Sequence, residues 1–281
     1  MKKSSFFHIF LFTFACLFSN EQNTFVVIGS PIYNPGMFSV LHTVIGTLDL
    51  FENRGFGGIE VDFGSSGLYY DTTKGPNWWT YYLEPLQIGN KQGKKIVPYR
   101  FIFHSLPMAN RSEFGMNRHR AAEIITNYFQ FKASLLRMVY DYFDANFKGK
   151  RVIGVHYRGT DKKVESPRVP YNKVLKEIEK AIGPGDMIYV ATDESGFLDF
   201  IQNHFPDQTL SIDAIRSNNE RPIHLGSGGS GYQIGLEAML DVHLLSKCNL
   251  LIRTSSNLSL FSTYLNPDLP VIVLNERHHP G

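Results

Sequence analysis

Cysteine is almost missing from this chain of 281 residues, which has only Cys16 and Cys248. Two thiols cannot build a disulfide framework or a cysteine metal cluster, and Cys16 falls in the apolar start of the chain. Charge of one sign is equally scarce. The net charge is +2 and charged residues make up 19% of the chain, without the strong basic cluster of a nucleic-acid footprint. Lys91, Lys94 and Lys95 gather around Gly89, Asn90 and Gly93 and read as a solvated loop. Beyond the start of the chain no apolar run is long enough to cross a bilayer, which takes about 20 residues. No segment repeats at a fixed period.

Hydrophobic residues are plentiful, at 43%, enough for a large core in one domain or two. Lys2 and Lys3 precede a mostly apolar stretch at 6–18 that turns polar at 19–23. Residues 1–20 therefore read as a signal peptide or membrane-tethering leader. This places the protein in the secretory pathway, in a periplasm or at a membrane. On a eukaryotic export route Asn110-Arg111-Ser112 is a glycosylation sequon.

The hydrophobic spacing predicts a strand at 24–28, a helix at 38–51 and a strand at 59–63. The aromatic-rich stretch 77–86 reads as packing surface. One long helix is expected over 121–147, stopped by Gly149. The second half alternates more plainly. Strands at 152–157, 187–191, 210–212, 250–253 and 271–274 are separated by helices at 171–182, 196–204, 232–246 and 258–265. The Gly-rich stretch 217–231 is a mobile connection or a lid. Strands alternating with helices imply a parallel sheet with right-handed crossovers. The expected class is α/β, with an N-terminal unit at 24–150 and a C-terminal unit at 151–281.

Ligands of such sheets bind outside the carboxyl ends of the strands. Three ends collect polar groups there: His156-Tyr157-Arg158-Gly159-Thr160-Asp161-Lys162, Thr192-Asp193-Glu194, and Arg253-Thr254-Ser255-Ser256-Asn257. His156 and Arg158 are two apart, so an extended strand turns both to one side. Arg158 offers a planar fork of donors to a phosphate, and Gly159 lets backbone approach a ligand closely. The same residues serve equally as a strand-end ion pair of Arg158 with Asp161 or Asp193. Thr254, Ser255 and Ser256 open a helix, as an anion site or as an ordinary N-cap. Asp241 lies within an apolar helix, where a carboxylate is paired or binds something. A guanine edge presents two adjacent N–H donors that one carboxylate can accept. His243 reads as a packing residue.

Three ordered segments, 155–162, 189–193 and 240–246, resemble the α1,6-fucosyltransferase superfamily. Its members include core and nodulation fucosyltransferases and, more distantly, protein O-fucosyltransferases. The resemblance is clear over 151–274 and weaker over 25–147. It implies a GT-B type glycosyltransferase of two Rossmann-like domains with the donor site in the C-terminal one. It further implies an inverting, metal-independent transfer of fucose from GDP-fucose to a glycan or glycoprotein hydroxyl. Arg158 would grip the β-phosphate, and His156 and Asp241 would hold guanosine. Thr254, Ser255 and Ser256 would hold the pyrophosphate, Gly159, Asp161 and Asp193 would belong to the substrate-binding site, and Lys162 would join Arg158 and Glu165 as catalytic residues. Core enzymes carry a second Arg where Gly159 stands. Glu165 is the acid nearest the family's carboxylate base, one residue out of register.

Two other functions compete. A metal-dependent transferase would use Glu60 and Asp62 at a strand end, since a hard cation needs oxygen ligands. A secreted nucleotide- or sugar-binding protein with a degraded transferase site would keep the fold and lose the chemistry.

Overall fold

Two β-sheets lie on either side of a shared layer of helices. The structure, a computed structural model, describes residues 21–29, 35–99, 116–159, 168–217 and 229–275. The leader, the Asn110 sequon, Thr160, Asp161, Lys162, Glu165 and most of the Gly-rich stretch lie outside those residues. No helix among the described residues is long and apolar enough to cross a membrane.

The first sheet has the order β3-β2-β1-β4. It is built from β1 (Thr24–Gly29), β2 (Gly58–Asp62), β3 (Gln87–Gly89) and β4 (Lys95–Tyr99). Strands β2 and β4 run parallel to β1, while β3 is antiparallel to β2. Between β1 and β2 runs α1 (Met37–Arg54). Its apolar positions Leu41, Val44, Ile45 and Leu48 are all fully or nearly fully buried. The helix ends at Gly55, whose φ of 68° is a left-handed cap that glycine adopts without strain.

The lysine group at 91–95 is thus not wholly a solvated loop, because Lys95 opens β4. Lys91 Nζ pairs with Glu60 Oε1 at 2.5 Å, and Lys94 donates to the Gly57 carbonyl. Long side chains with charged tips suit an edge strand, where they discourage further pairing. The aromatic stretch packs as read from the sequence. Trp78 and Trp79 are buried, and Phe63 stacks on Trp78 with ring centroids 4.3 Å apart.

The long helix expected over 121–147 is two: α2 (Arg118–Tyr128) and α3 (Ala133–Asn146). The break has a clear cause. Residues 129–132 exchange backbone bonds with 82–84: Glu84 N–H donates to the Gln130 carbonyl (2.7 Å) and Lys132 N–H to the Tyr82 carbonyl (2.8 Å). Phe129 is thereby turned into the core against Trp79, a pairing that periodicity cannot reveal.

The second sheet is parallel throughout, in the order β7-β6-β5-β8-β9. Its strands are β5 (Val152–Tyr157), β6 (Met187–Thr192), β7 (Thr209–Leu210), β8 (Leu250–Arg253) and β9 (Val271–Val273). Four helices connect them: α4 (Tyr171–Ala181), α5 (Ser195–His204), α6 (Gly231–Ser246) and α7 (Asn257–Leu265). Val155 and Tyr157 face α4 and α5 in one core, whereas Val152, Tyr189 and Leu251 face α3 and α6 in another. Helices α6 and α7 serve both sheets. Met239, Val242, Leu260, Phe261 and Tyr264 join the core of the first sheet, while Leu244 and Leu245 pack under the second. Gly235 permits the close approach, since a Cβ there would lie 2.2 Å from the Tyr82 hydroxyl oxygen.

Candidate functional site

The chain leaves central β5 for β6 on one side and later returns to β8 on the other. The point between β5 and β8 is therefore where strand order reverses, the usual ligand crevice of an open α/β sheet. The register sets His156 beside Ala191 on β6 and Arg253 on β8. Backbone bonds lace the strand ends together. Thr254 N–H donates to the His156 carbonyl (3.0 Å), and Arg158 N–H donates to Thr254 Oγ1 (2.9 Å).

Asp193 organises the Arg158 side of the crevice. Its Oδ2 is 3.1 Å from Arg158 Nε, and its Oδ1 accepts the Gly159 N–H at 3.1 Å. The ion pair read as one alternative from the sequence is present. It does not oppose a phosphate role, because a guanidinium carries five N–H donors and the contact through Nε orients its plane. On the other side of the crevice Thr254, Ser255 and Ser256 are all buried. Ser256 caps α7 by accepting the Leu258 N–H, and Ser255 N–H donates to Asn275 Oδ1 at 2.7 Å. The start of α7 thus adjoins the strand end that carries Arg158, and a helix start favours an anion.

Glu194, given no role of its own when the strand end Thr192-Asp193-Glu194 was read from the sequence, is closely held at this edge. It is 4% exposed. Its carboxylate accepts the Tyr171 hydroxyl at 2.7 Å, and Arg168 Nη2 lies 3.2 Å from both oxygens, better directed at Oε2. A Cβ on Gly159 would sit 2.2 Å from Glu194 Cδ. Gly159 is thus fixed by the neighbouring carboxylate, and a longer side chain has no room there. The two successive acids that follow β6 each hold an arginine, Asp193 pairing with Arg158 and Glu194 with Arg168. The absence of a side chain at 159 was the available signal for Glu194.

His156 is 4% exposed and its Nδ1 has no hydrogen-bond partner among the described residues. Burial, reinforced by Arg158 and Arg253 nearby, pushes the ring down to about 3 from an ordinary 6.5. It is therefore neutral at working pH, with one nitrogen able to accept and the other to donate. Between those two values the unfolded chain holds the proton and the folded one does not, so stability falls as pH falls through that window. His243, buried edge-on against Phe131 and pushed down to about 4, acts in the same direction. Each ring contributes a slope of at most about 1.4 kcal/mol per pH unit. We expect the melting temperature to drop steadily from pH 6.5 towards 4 and His156→Gln to make the drop shallower. Equal slopes for both proteins, followed by calorimetry, would contradict this account of the ring.

Asp241 lies beneath that edge on α6, on the face shared with His156. Its Oδ1 accepts the Tyr189 hydroxyl at 2.6 Å. Burial raises its carboxyl to about 7, partly offset by that hydrogen bond and by Arg216 nearby. The candidate metal acids are placed differently. Glu60 is engaged by Lys91, and Asp62 Oδ1 accepts the Gly64 N–H at 3.0 Å. Among the described residues no group of three or more His, Cys, Asp or Glu is arranged to hold a metal ion.

Two α/β sheets sharing a helical layer, with polar strand ends at a crevice, give the architecture of the GT-B type glycosyltransferases. Within that class the likeness is to fucosyltransferases. The fold matches NodZ alpha-1,6-fucosyltransferase soaked with GDP-fucose at a TM-score of 0.58 and 16% identity, over 92% of this chain and 99% of that one. It matches POFUT1 in complex with GDP at a TM-score of 0.54 and 9% identity, over 91% and 99%. In sequence the chain is similar to nodulation protein Z of Sinorhizobium fredii (strain NBRC 101917 / NGR234), 23% identical over 151 residues. That stretch is 50% of this chain and 46% of the relative, so the match spans about half of each. No protein-family model matches.

Proposed function

We propose that this protein transfers fucose from GDP-fucose to a hydroxyl of a glycan or protein, with inversion and without a metal. The observation that carries the reading is the crevice at the strand reversal, where Arg158, paired with Asp193, is tied through its backbone N–H to Thr254 at the start of the Thr254–Ser256 turn. The likeness to a NodZ fucosyltransferase soaked with GDP-fucose supports the donor. In this reading Arg158 and the start of α7 hold the diphosphate, and His156 and Asp241 hold guanosine.

The step balances simply. The acceptor oxygen forms the new bond to the anomeric carbon while the bond to the diphosphate breaks, and the electron pair leaves with GDP. The acceptor proton passes to a carboxylate, for which Glu165 is the candidate, with Asp161 and Lys162 beside it in sequence. Charge accumulates on the departing diphosphate, so fixed guanidinium and N–H donors stabilise the transition state more than the ground state. Glu165→Gln is expected to lower the transfer rate by about 10²–10⁴-fold. An unchanged rate would remove Glu165 from the mechanism. We also propose that the leader delivers the chain to the secretory pathway, a periplasm or a membrane surface.

The reading is tested by unfolding the full chain in the presence of GDP, UDP and ADP, followed by GDP release from GDP-fucose in EDTA. A ligand at about 100 times its Kd adds about 2.7 kcal/mol of stability. GDP alone should raise the melting temperature, and release should be indifferent to EDTA. Stabilisation without preference for GDP would overturn the donor assignment. Loss of turnover in EDTA would return Glu60 and Asp62 to consideration. Binding of GDP without turnover would identify a binding protein on a transferase fold.

A further inference from the structure

Asp241 presents a problem that its surroundings do not solve. It is a carboxylate 9% exposed, in the middle of a largely apolar helix. Among the described residues no lysine or arginine forms an ion pair with it, and only one of its oxygens has a hydrogen-bond partner. A buried charge so weakly compensated costs several kcal/mol unless something else donates to it. Its neighbours among the described residues are these. From β6 comes Tyr189, whose hydroxyl donates to Oδ1 at 2.6 Å. From α3 comes Tyr142, and from the segment after β7 comes Arg216. The Arg216 Nη1 and Nη2 groups are directed at the Ala214 and Ile212 carbonyls. From α6 itself comes Glu237, which already accepts the Ile215 N–H and the Gln233 side chain. Cys248 is a buried neutral thiol near the tyrosines.

Tyr189 is built to stay still. It is fully buried in the middle of β6, opposite Gly154 in the β5 register. Tyr142 and Phe147 meet its ring edge-on, with centroids 5.9 and 5.4 Å away. A hydroxyl fixed in this way holds one carboxylate oxygen in place and sets the direction of the other. Among the described residues one side of the carboxylate meets a hydrogen-bond donor and the other does not, and a ligand with N–H groups would supply it.

We propose that Tyr189 is a positioning residue for the nucleobase: its fixed hydroxyl holds one oxygen of Asp241 so that the other meets adjacent N–H donors of a guanine edge. The inference rests on the reading that Asp241 holds the guanosine end of the donor. Its consequence is a proton-linked donor site. A base that donates N–H bonds prefers the charged carboxylate, so affinity rises with pH as Asp241 loses its proton. Burial holds that carboxyl near 7, and the Tyr189 hydrogen bond is the largest effect lowering it. Removing the hydroxyl moves the midpoint upward and leaves less charged Asp241 at neutral pH.

The test is calorimetric titration of GDP into the full chain at pH 6, 7, 8 and 8.5, for the natural protein, Tyr189→Phe and Asp241→Asn. The diphosphate's own titration is common to all three curves and cancels in their ratios. Tyr189→Phe should bind GDP about tenfold more weakly at pH 7 and approach the natural protein by pH 8.5. A loss of the same factor at every pH, or none, overturns the role of Tyr189. Asp241→Asn should bind weakly with the pH dependence of the carboxylate gone. If it binds GDP as the natural protein does at every pH, the guanosine reading itself falls, a distinguishable failure. Should Tyr189→Phe not fold, the Asp241 carboxyl signal in NMR decides on the natural protein. GDP should lower its titration midpoint by at least one pH unit, and an unmoved midpoint overturns the proposal.

Discussion

Arg158→Ala is expected to weaken GDP binding by at least about 30-fold while leaving the fold in place. The guanidinium is oriented by Asp193 at 3.1 Å at the strand reversal, and the Arg158 backbone is tied to Thr254 just before α7. Truncating one partner of a desolvated charge pair costs about 2–5 kcal/mol. At about 1.4 kcal/mol per tenfold, that is a loss of roughly 30- to several-thousand-fold in affinity. Arg158→Lys should recover little of it, because an ammonium cannot donate to Asp193 and a phosphate in the same plane. The change also leaves Asp193 without its guanidinium, so a melting temperature lower by a few degrees is expected. Calorimetry with GDP checks the result. Binding within threefold of the natural protein would place the diphosphate elsewhere.

Gly159→Ala is expected to be nearly as damaging although it adds one methyl group. The new Cβ would lie 2.2 Å from Glu194 Cδ and Oε1 and 2.5 Å from Oε2. That carboxylate has no easy exit, since Tyr171 and Arg168 hold it and burial surrounds it. Something must shift, and the strand end carrying Asp193 and Arg158 is directly attached. A displacement of about 1 Å at reacting groups can cost about 10²-fold in rate. We expect a fall of that order in transfer rate, with a smaller loss of stability. Adding Glu194→Ser should restore part of the melting temperature by vacating the space. Natural rates in Gly159→Ala would show that the Glu194 contact does not reach the site.

The second sheet was legible because its central strands are mostly apolar and buried, while α4 and α5 carry one apolar face, so burial dictates them. Val152 to Tyr157 is buried along its whole length, as a central parallel strand must be. The rule that ligands gather at strand ends then joined His156, Arg158, Asp193 and Thr254 before any side chain was placed. The first half was harder. Strands β3 and β4 are short edge strands, and the mostly exposed lysines at 91–95 that lead into β4 give a loop-like pattern. The helix break at 129–132 depends on partners 48 residues earlier, such as Glu84 beside Lys132. Glu194 is held by Tyr171 and Arg168, and Asp241 by Tyr189 across a separation of 52 residues. Such pairings belong to the folded chain and leave no periodic trace in the sequence. The same long-range contacts set the protonation of Asp241 and the need for glycine at 159.

The central claim is that the reversal between β5 and β8 binds GDP with its diphosphate at Arg158 and its base at Asp241. A crystal structure of the full chain with GDP tests it most directly. The account predicts β-phosphate oxygens within hydrogen-bond distance of Arg158 and the Thr254–Ser256 turn. It also predicts a guanine edge donating to the Asp241 oxygen opposite Tyr189. Nucleotide bound at this edge with its base pointing away from Asp241, or bound elsewhere on the chain, would contradict it.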